Sequence, residues 1–347
     1  MNKKSLKDLA WNVSEEEYRE HPAISYSMLS TYEREGPKCI PFLKDKKHSE
    51  AMRFGSLVDT ILTEPEEIEN KFLVADITKP SEVIATIVTN IYQICDKTTN
   101  DLTQINKDLI LEQIKSANYY NNLKDDTRIG YILNQGKDYF ALLALSEGKY
   151  LITQEEYNDG LSCVEVLKTH EFTNSYFEEN DYFGKKEGHY QLKFLIDLPN
   201  FVNVRCMFDR ILVNHEDKTI TPCDLKTTGK DESSFESSFL NWNYWIQSNM
   251  YSMILQYIIS SDDYFRNFTI LPFEFIVINR RNKTPMVWTD PNNLKRGDRI
   301  DNYGNTHKYW QKLYDEMKWH MRTGIYTYTK EAYDNKGVQT LQNIKIV

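Results

Sequence analysis

The sequence of 347 residues has no long apolar run; nothing in it approaches the roughly 20 consecutive apolar residues of a membrane span. The opening MNKKSLKDLAWNVSEEE has a basic start with no apolar stretch behind it, so it does not read as a secretory signal. Cysteine is sparse: Cys39, Cys95, Cys163, Cys206 and Cys223 are odd in number, widely spaced and never in a CxxC pair. That argues against a disulfide framework or a zinc site, and the expected compartment is a reducing cytoplasm. Positive charge is in deficit, with 42 Lys and Arg against 51 Asp and Glu, a net −9. Such a balance argues against a protein that coats nucleic acid through a broad basic surface, but leaves room for an acidic pocket beside a local basic groove. No GxxxxGK[ST] occurs, so no built-in ATPase is expected. Repeats and Pro/Gly/Ser-rich linkers are also missing, which favours one domain over 1–347.

Hydrophobic residues make up 40% of the chain and charged residues 27%, enough for a sizeable core and against global disorder. Residues 21–39 read as a capped short helix, with Ser25 or Ser27 at its start and Gly36-Pro37 at its end. Residues 49–63 read as an amphipathic helix. From about 80 to 180 the pattern is mainly helical, with polar breaks at KTTND and KDDTR. A β-rich section covers 189–228. Then come an aromatic-rich helix at 235–260, an apolar strand at 273–280 and a closing helix at 306–324 with Gly324 at its C-cap. The expected class is α/β (α+β), with one central mixed sheet flanked by helices. Within it, 1–74 forms N-terminal helices, 75–185 a helical insertion and 186–347 the sheet core with closing helices.

The most informative segment is TPCDLKTT, 221–228. Strand period two places Asp224 and Lys226 on one face and Leu225 on the other. Asp209 lies in the preceding strand-like run VNVRCMFDRILVN, and HEDK between them reads as a turn. A simple hairpin there puts Asn214 opposite Thr219 and Asp209 opposite Asp224. Opposed Cβ atoms are about 5 Å apart. Two carboxylates so placed repel, and a divalent cation between them reverses the sign. Pro222 cannot donate to a ladder, so a bulge or an open side is expected there, and a bulge would shift the register by one. Acid-x-Lys recurs at Asp45-x-Lys47, Glu147-x-Lys149 and Glu216-x-Lys218, but none follows a strand-like run with a second Asp on the one before.

HYQLKFLIDLPNFVNVRC reads as another hairpin, turning at Leu198-Pro199-Asn200. A three-residue loop sets Gln191 opposite Asp209; a two-residue loop sets Phe208 there. Gln191 is therefore a third site candidate, with Glu187 as a fallback ligand. Gln247 and Tyr251 share a helix face at i,i+4 amid apolar neighbours. Gly55 and Asp59 are also four apart, and Asp59 is a candidate metal ligand or else a helix-face acid. Arg205, Arg210, Lys226, Lys230, Arg280, Arg281 and Lys283 are candidates for a basic groove, or are ordinary surface charges. Trp242, Tyr244 and Trp245 are candidates for stacking on bases or for core packing.

In order along the chain, ISYSMLSTYEREGP, FGSLVDTILTEPEE, FDRI, CDLKTT and QSNMY resemble the PD-(D/E)XK nuclease superfamily. The branch resembled is the RecB/RecE-like, exonuclease VIII-like group of phage and prophage exonucleases, over about residues 20–280. Asp59 stands where that pattern usually has His, and Gln191 where it often has Glu. The resemblance implies a restriction-endonuclease-like core and one or two Mg²⁺ (or Mn²⁺) held by Asp209 and Asp224, with the Leu225 carbonyl as a further ligand. It implies that Lys226 orients water, and that Gln247 and Tyr251 position the strand end. It implies an exonuclease on linear duplex DNA ends, 5′ to 3′, in phage-type recombination or DNA processing. A single-strand annealing recombinase as partner and a homo-oligomer are compatible with the family. The contrasting expectation is a catalytically weak or inactive DNA-binding accessory, motivated by Gln191 and Asp59. A two-carboxylate glycosidase would leave Lys226 without a role.

Overall fold

Three runs rich in β-branched and aromatic residues pair in chain order and set the frame of the molecule. The computed structural model describes residues 3–44, 49–75, 80–146, 148–178, 184–198 and 202–338. The helices are α1 (Glu15–Glu20), α2 (Tyr26–Glu35), α3 (Glu50–Thr63), α4 (Ile68–Lys71), α5 (Glu82–Ile94), α6 (Lys107–Ser116), α7 (Asp125–Leu145), α8 (Gln154–Thr169), α9 (Asn174–Phe177), α10 (Phe235–Asn241), α11 (Tyr244–Ser260), α12 (Trp310–Thr323) and α13 (Lys330–Asp334). The strands are β1 (Phe72–Ala75), β2 (Tyr150–Thr153), β3 (Lys186–Leu198), β4 (Val202–Asn214), β5 (Thr219–Thr228), β6 (Thr269–Ile270), β7 (Phe273–Asn279), β8 (Pro285–Asp290), β9 (Arg299–Ile300) and β10 (Thr306–His307). Among the described residues no helix is long and apolar enough to cross a membrane.

The chain forms two compact units, Met1–Ala51 with Glu165–Val347, and Met52–Val164. The first contains a six-stranded mixed sheet in the order β3-β4-β5-β7-β8, with β6 also beside β5. β3, β4 and β5 form an antiparallel meander. β5 and β7 are parallel, which requires a crossover, and α10 and α11 supply it. β7, FEFIVIN, is buried at nearly every position, as its unbroken apolar run anticipates for an internal strand with a parallel neighbour. Phe194, Phe208, Phe273 and Phe275 of the sheet share a core with Met250 and Ile254 of α11 and Leu313 and Met317 of α12.

The second unit has its own core. Ile84, Ile87, Val88 and Ile91 recur at helical spacing along one face of α5 and are buried with Ile129, Ile132 and Phe140 of α7. β1 and β2 form a two-stranded parallel sheet in the same unit.

Several expectations are revised. Instead of one domain with an insertion over 75–185, the chain has two units, and the helical one begins at Met52 and ends at Val164. A helix face of isoleucines large enough to build a separate core explains the division. The single helix expected over 235–260 is two helices, because Asn243 takes a left-handed φ of 59° between them. The break expected at KDDTR ends there: α6 stops at Ser116, Lys124 caps α7, and Asp125 and Asp126 lie in its first turn, where acidic side chains suit the helix dipole. The Gly324 C-cap is present, at φ 70°.

Candidate active site

The site is built where the meander stops pairing. Asn214 faces Thr219, and the ladder continues without a bulge past Pro222, opposite Ile211, to Arg210 opposite Cys223. Asp209 and Asp224 occupy the next position, the first beyond the ladder. The three-residue alternative for the β3–β4 connection is the observed one: Leu198 faces Val202, and Leu192 faces Phe208. The turn at 199–201 lies outside the described residues. Tyr190 faces Arg210 in the same register, so Gln191 stands level with Asp209, yet the two do not form a ladder pair. Gln191 has φ 51°, a left-handed conformation that interrupts the ladder for one residue within β3. Regular pairing therefore fails at Asp209 on both sides. Its carboxylate takes over one backbone requirement: Leu225 N–H donates to Asp209 Oδ2 at 2.9 Å.

β5 continues alone with β7, and α11 lies against it. Asp224 is buried, with 2% of its surface exposed. Its Oδ1 accepts from Gln247 Nε2. Its Oδ2 is buried without a hydrogen bond and faces the Lys226 ammonium in an ion pair. Lys226 Nζ also donates to Gln247 Oε1 at 3.2 Å, closing a three-residue ring. The Tyr244 ring lies 4.6 Å from the same ammonium. Burial pulls the Lys226 pKa down, but the negative charge of Asp224, with Tyr244, Asp209 and Tyr26 beyond it, outweighs this and raises it above the ordinary lysine value. Lys226 thus carries a fixed positive charge beside two carboxylates.

The other expected residues fall into distinct places. Tyr251 shares the sheet-facing side of α11 with Gln247, but its ring is packed edge-on against Phe208 at 5.2 Å and is buried. Burial raises its pKa well above the usual phenol range, so it stands as a neutral core residue. Glu187 is not beside Asp209. It faces Val213, and its Oε1 accepts from Leu6 N–H at 2.9 Å and pairs with His189 Nε2 at 3.3 Å. Asp59 belongs to the other unit, half-buried in the middle of α3.

The expected basic groove loses two members. Arg205 is buried and donates to the carbonyls of Arg19, His21 and Ala23. Arg210 is buried, donates to the carbonyls of Tyr176 and Glu178 and lies 4.1 Å from the Tyr190 ring centre. Both hold the fold. Arg280 pairs with Glu50 at 3.2 Å, and Lys283 Nζ donates to the Arg280 carbonyl. Lys230 and Arg281 are exposed. Trp245 is buried, Tyr244 half-buried and Trp242 exposed.

Sequence reasoning gave no role to Tyr26 or Ser30 of α2, which both donate to the Trp242 carbonyl at 2.8 Å and fix the α10–α11 joint. No periodicity links residues so far apart in the chain.

The donor set suits a hard divalent cation. Two carboxylates meet at the strand fork, and one has a buried anionic oxygen satisfied only by charge. Among the described residues no group of three or more His, Cys, Asp or Glu is placed to hold a metal. Mg²⁺ does not need one: it is commonly held by one or two carboxylates, with water and substrate phosphate filling the remaining positions. No known protein-family model matches this chain, and no curated protein matches it.

Proposed function

We propose that this protein is a metal-dependent deoxyribonuclease of PD-(D/E)XK type, acting as an exonuclease on linear duplex ends. The observation that carries the proposal is the fork of β4 and β5, with Asp209 and Asp224 at the first position beyond their ladder and Lys226 ion-paired to Asp224. Each carboxylate has a protein partner, Asp209 the Leu225 amide and Asp224 the Lys226 ammonium, but two acids at neighbouring positions repel, and a bound divalent cation would offset that repulsion. The substrate, the 5′-to-3′ polarity and the setting in phage-type recombination or DNA processing rest on the resemblance. So do a single-strand annealing recombinase as partner and a homo-oligomeric form, whereas a cytoplasmic location rests on the sparse, widely spaced cysteines.

Asp209 and Asp224 would hold Mg²⁺ or Mn²⁺, with the Leu225 carbonyl as a further ligand. Once bound, the ion supplies Lewis-acid charge to a phosphate and a more acidic water. The chain does the rest. Asp209 is anchored by the Leu225 amide, so its carboxylate is fixed relative to β5. Gln247 bridges Asp224 and Lys226 and holds both side chains in one arrangement. Lys226, kept protonated, is suited to orient a nucleophilic water and to offset charge growing on phosphate oxygens. Tyr251 contributes by seating α11 on the sheet, a step removed from the DNA contact expected of it.

A DNA-binding accessory is the second reading. Gln191 in place of the usual Glu, and the absence of a third acid among the described residues, favour it. Linear and covalently closed duplex DNA, incubated with the protein and Mg²⁺ or Mn²⁺, separate these readings. Nucleotide release from linear DNA alone is expected. Cutting of the closed form would indicate an endonuclease, and binding without cleavage in either metal would indicate the accessory.

A further inference from the structure

Of the six tryptophans, Trp242 alone is exposed, at 51%; the others are buried or half-buried. It sits at the joint between α10 and α11, and the joint is held by its backbone. The Trp242 carbonyl accepts from Tyr26 Oη and Ser30 Oγ, and Asn243 Nδ2 donates to the Ser30 carbonyl at 3.2 Å. The indole takes no part in these bonds. It is left at the surface with the Arg34 guanidinium 5.2 Å from its ring centre. Arg34 is itself oriented by donating to Ser30 Oγ at 2.7 Å, and it makes no ion pair among the described residues. Two residues beyond the indole, the Tyr244 ring lies 4.6 Å from Lys226 Nζ. Tyr26, bonded to the Trp242 carbonyl, lies within electrostatic reach of Lys226 and Asp224, and Arg34 within reach of Tyr244, so the exposed indole and its guanidinium neighbour the proposed site.

We infer that Trp242 and Arg34 form a stacking subsite for an unpaired terminal nucleotide of the DNA strand entering the site; this rests on the reading of the site as a deoxyribonuclease. A flat ring accepts any base on its π-face, so the contact tolerates sequence, as an enzyme that digests successive nucleotides requires. The guanidinium adds a planar cation for the adjoining phosphate, in a protein whose net charge of −9 offers little general attraction for DNA. Tyr244 and Trp245 cannot serve in this way. Tyr244 is stacked against Phe235 and Phe275, and Trp245 is buried with its Nε1 donating to the Lys308 carbonyl.

The test uses full-length protein and the variants Trp242→Ala, Trp242→Phe and Arg34→Gln. The probe is a duplex with 2-aminopurine at the end of a short overhang, held in Ca²⁺. Wild type is expected to quench the probe on binding. Trp242→Ala should lose the quench and weaken overhang binding by roughly ten-fold, the scale of one base–aromatic stack. Trp242→Phe should retain most of both, and Arg34→Gln should weaken binding with partial quench. In Mg²⁺, Trp242→Ala should raise KM with kcat near wild type, and its melting temperature should match wild type because the scaffold bonds use the backbone. Unchanged binding and quench in Trp242→Ala, in protein that still digests linear DNA, would overturn the subsite and leave the nuclease reading standing. Failure of wild type to bind or cleave any DNA would remove both.

Discussion

At the scale of single residues, the β4–β5 register was legible because it follows from its turn, although the ladder ends at Arg210 and Cys223, one position short of Asp209 and Asp224. Counting from HEDK places Asn214 opposite Thr219, and the ladder agrees. What counting could not give is the break beyond it. Gln191 at φ 51° and the Leu225 amide donating to a carboxylate are responses to local geometry that no spacing encodes. Asp59 was singled out by spacing within its own helix, which carries no information about the unit it joins. The Asp224–Lys226 pair leads to a stability expectation. Replacing Lys226 by Ala leaves a buried carboxylate without its counter-charge, at a cost of about 3 kcal/mol. Adding Asp224→Asn to that variant should recover part of the loss. Urea unfolding of the two single variants and the double closes the cycle; additive losses would mean that the pair is not coupled.

At the scale of elements, strands and helices with a clear period were readable from the sequence, and junctions were not. The α10–α11 break depends on Asn243 holding a left-handed conformation while its Nδ2 donates to the Ser30 carbonyl, a tertiary cause invisible in an apolar stretch that reads as continuous helix. β8, PMVWTD, begins with proline and is short, and so lacks a strand signature of its own. The packing of α5 on α7 turns on Gly136. A Cβ there would come within 2.5 Å of a Val88 methyl, and valine has little rotamer freedom with which to withdraw it. Gly136→Ala should therefore destabilise the helical unit by about 2 kcal/mol, although alanine is the better helix former. Thermal unfolding checks this; a variant as stable as wild type would mean that the two helices approach less closely than described.

At the scale of the whole molecule, composition set outer limits and little more. The negative charge discourages a broad basic surface, and burial of Arg205 and Arg210 removes two cations from the expected basic groove. The division into two units was hidden because no linker composition marks it. Acid stability tests how the N-terminal segment is held to the sheet. Burial pushes the Glu187 carboxyl up, but hydrogen bonds from His189 and the Leu6 amide, with the charge of His189, bring it down to about 2 from an ordinary 4.5. His215, also within reach of Glu187, has its pKa lowered chiefly by burial, with Lys3 adding to the effect. A carboxyl depressed on folding stabilises the protein above its unfolded pKa, and that stability drains away as pH falls from about 4.5 towards 2. Urea midpoints should drop more steeply over that range in wild type than in Glu187→Gln; parallel curves would mean that Glu187 is not held as described.

The most direct measurement is the rate of nucleotide release from end-labelled linear duplex DNA in Mn²⁺ and Mg²⁺, for wild type beside Asp224→Ala and Lys226→Ala. Metal-dependent release by wild type is expected, lost by about 100-fold or more in both variants, as when a charged group of a catalytic centre is removed. Release that persists in both variants, or that proceeds equally well in EDTA, would contradict a metal-dependent centre at the β4–β5 fork.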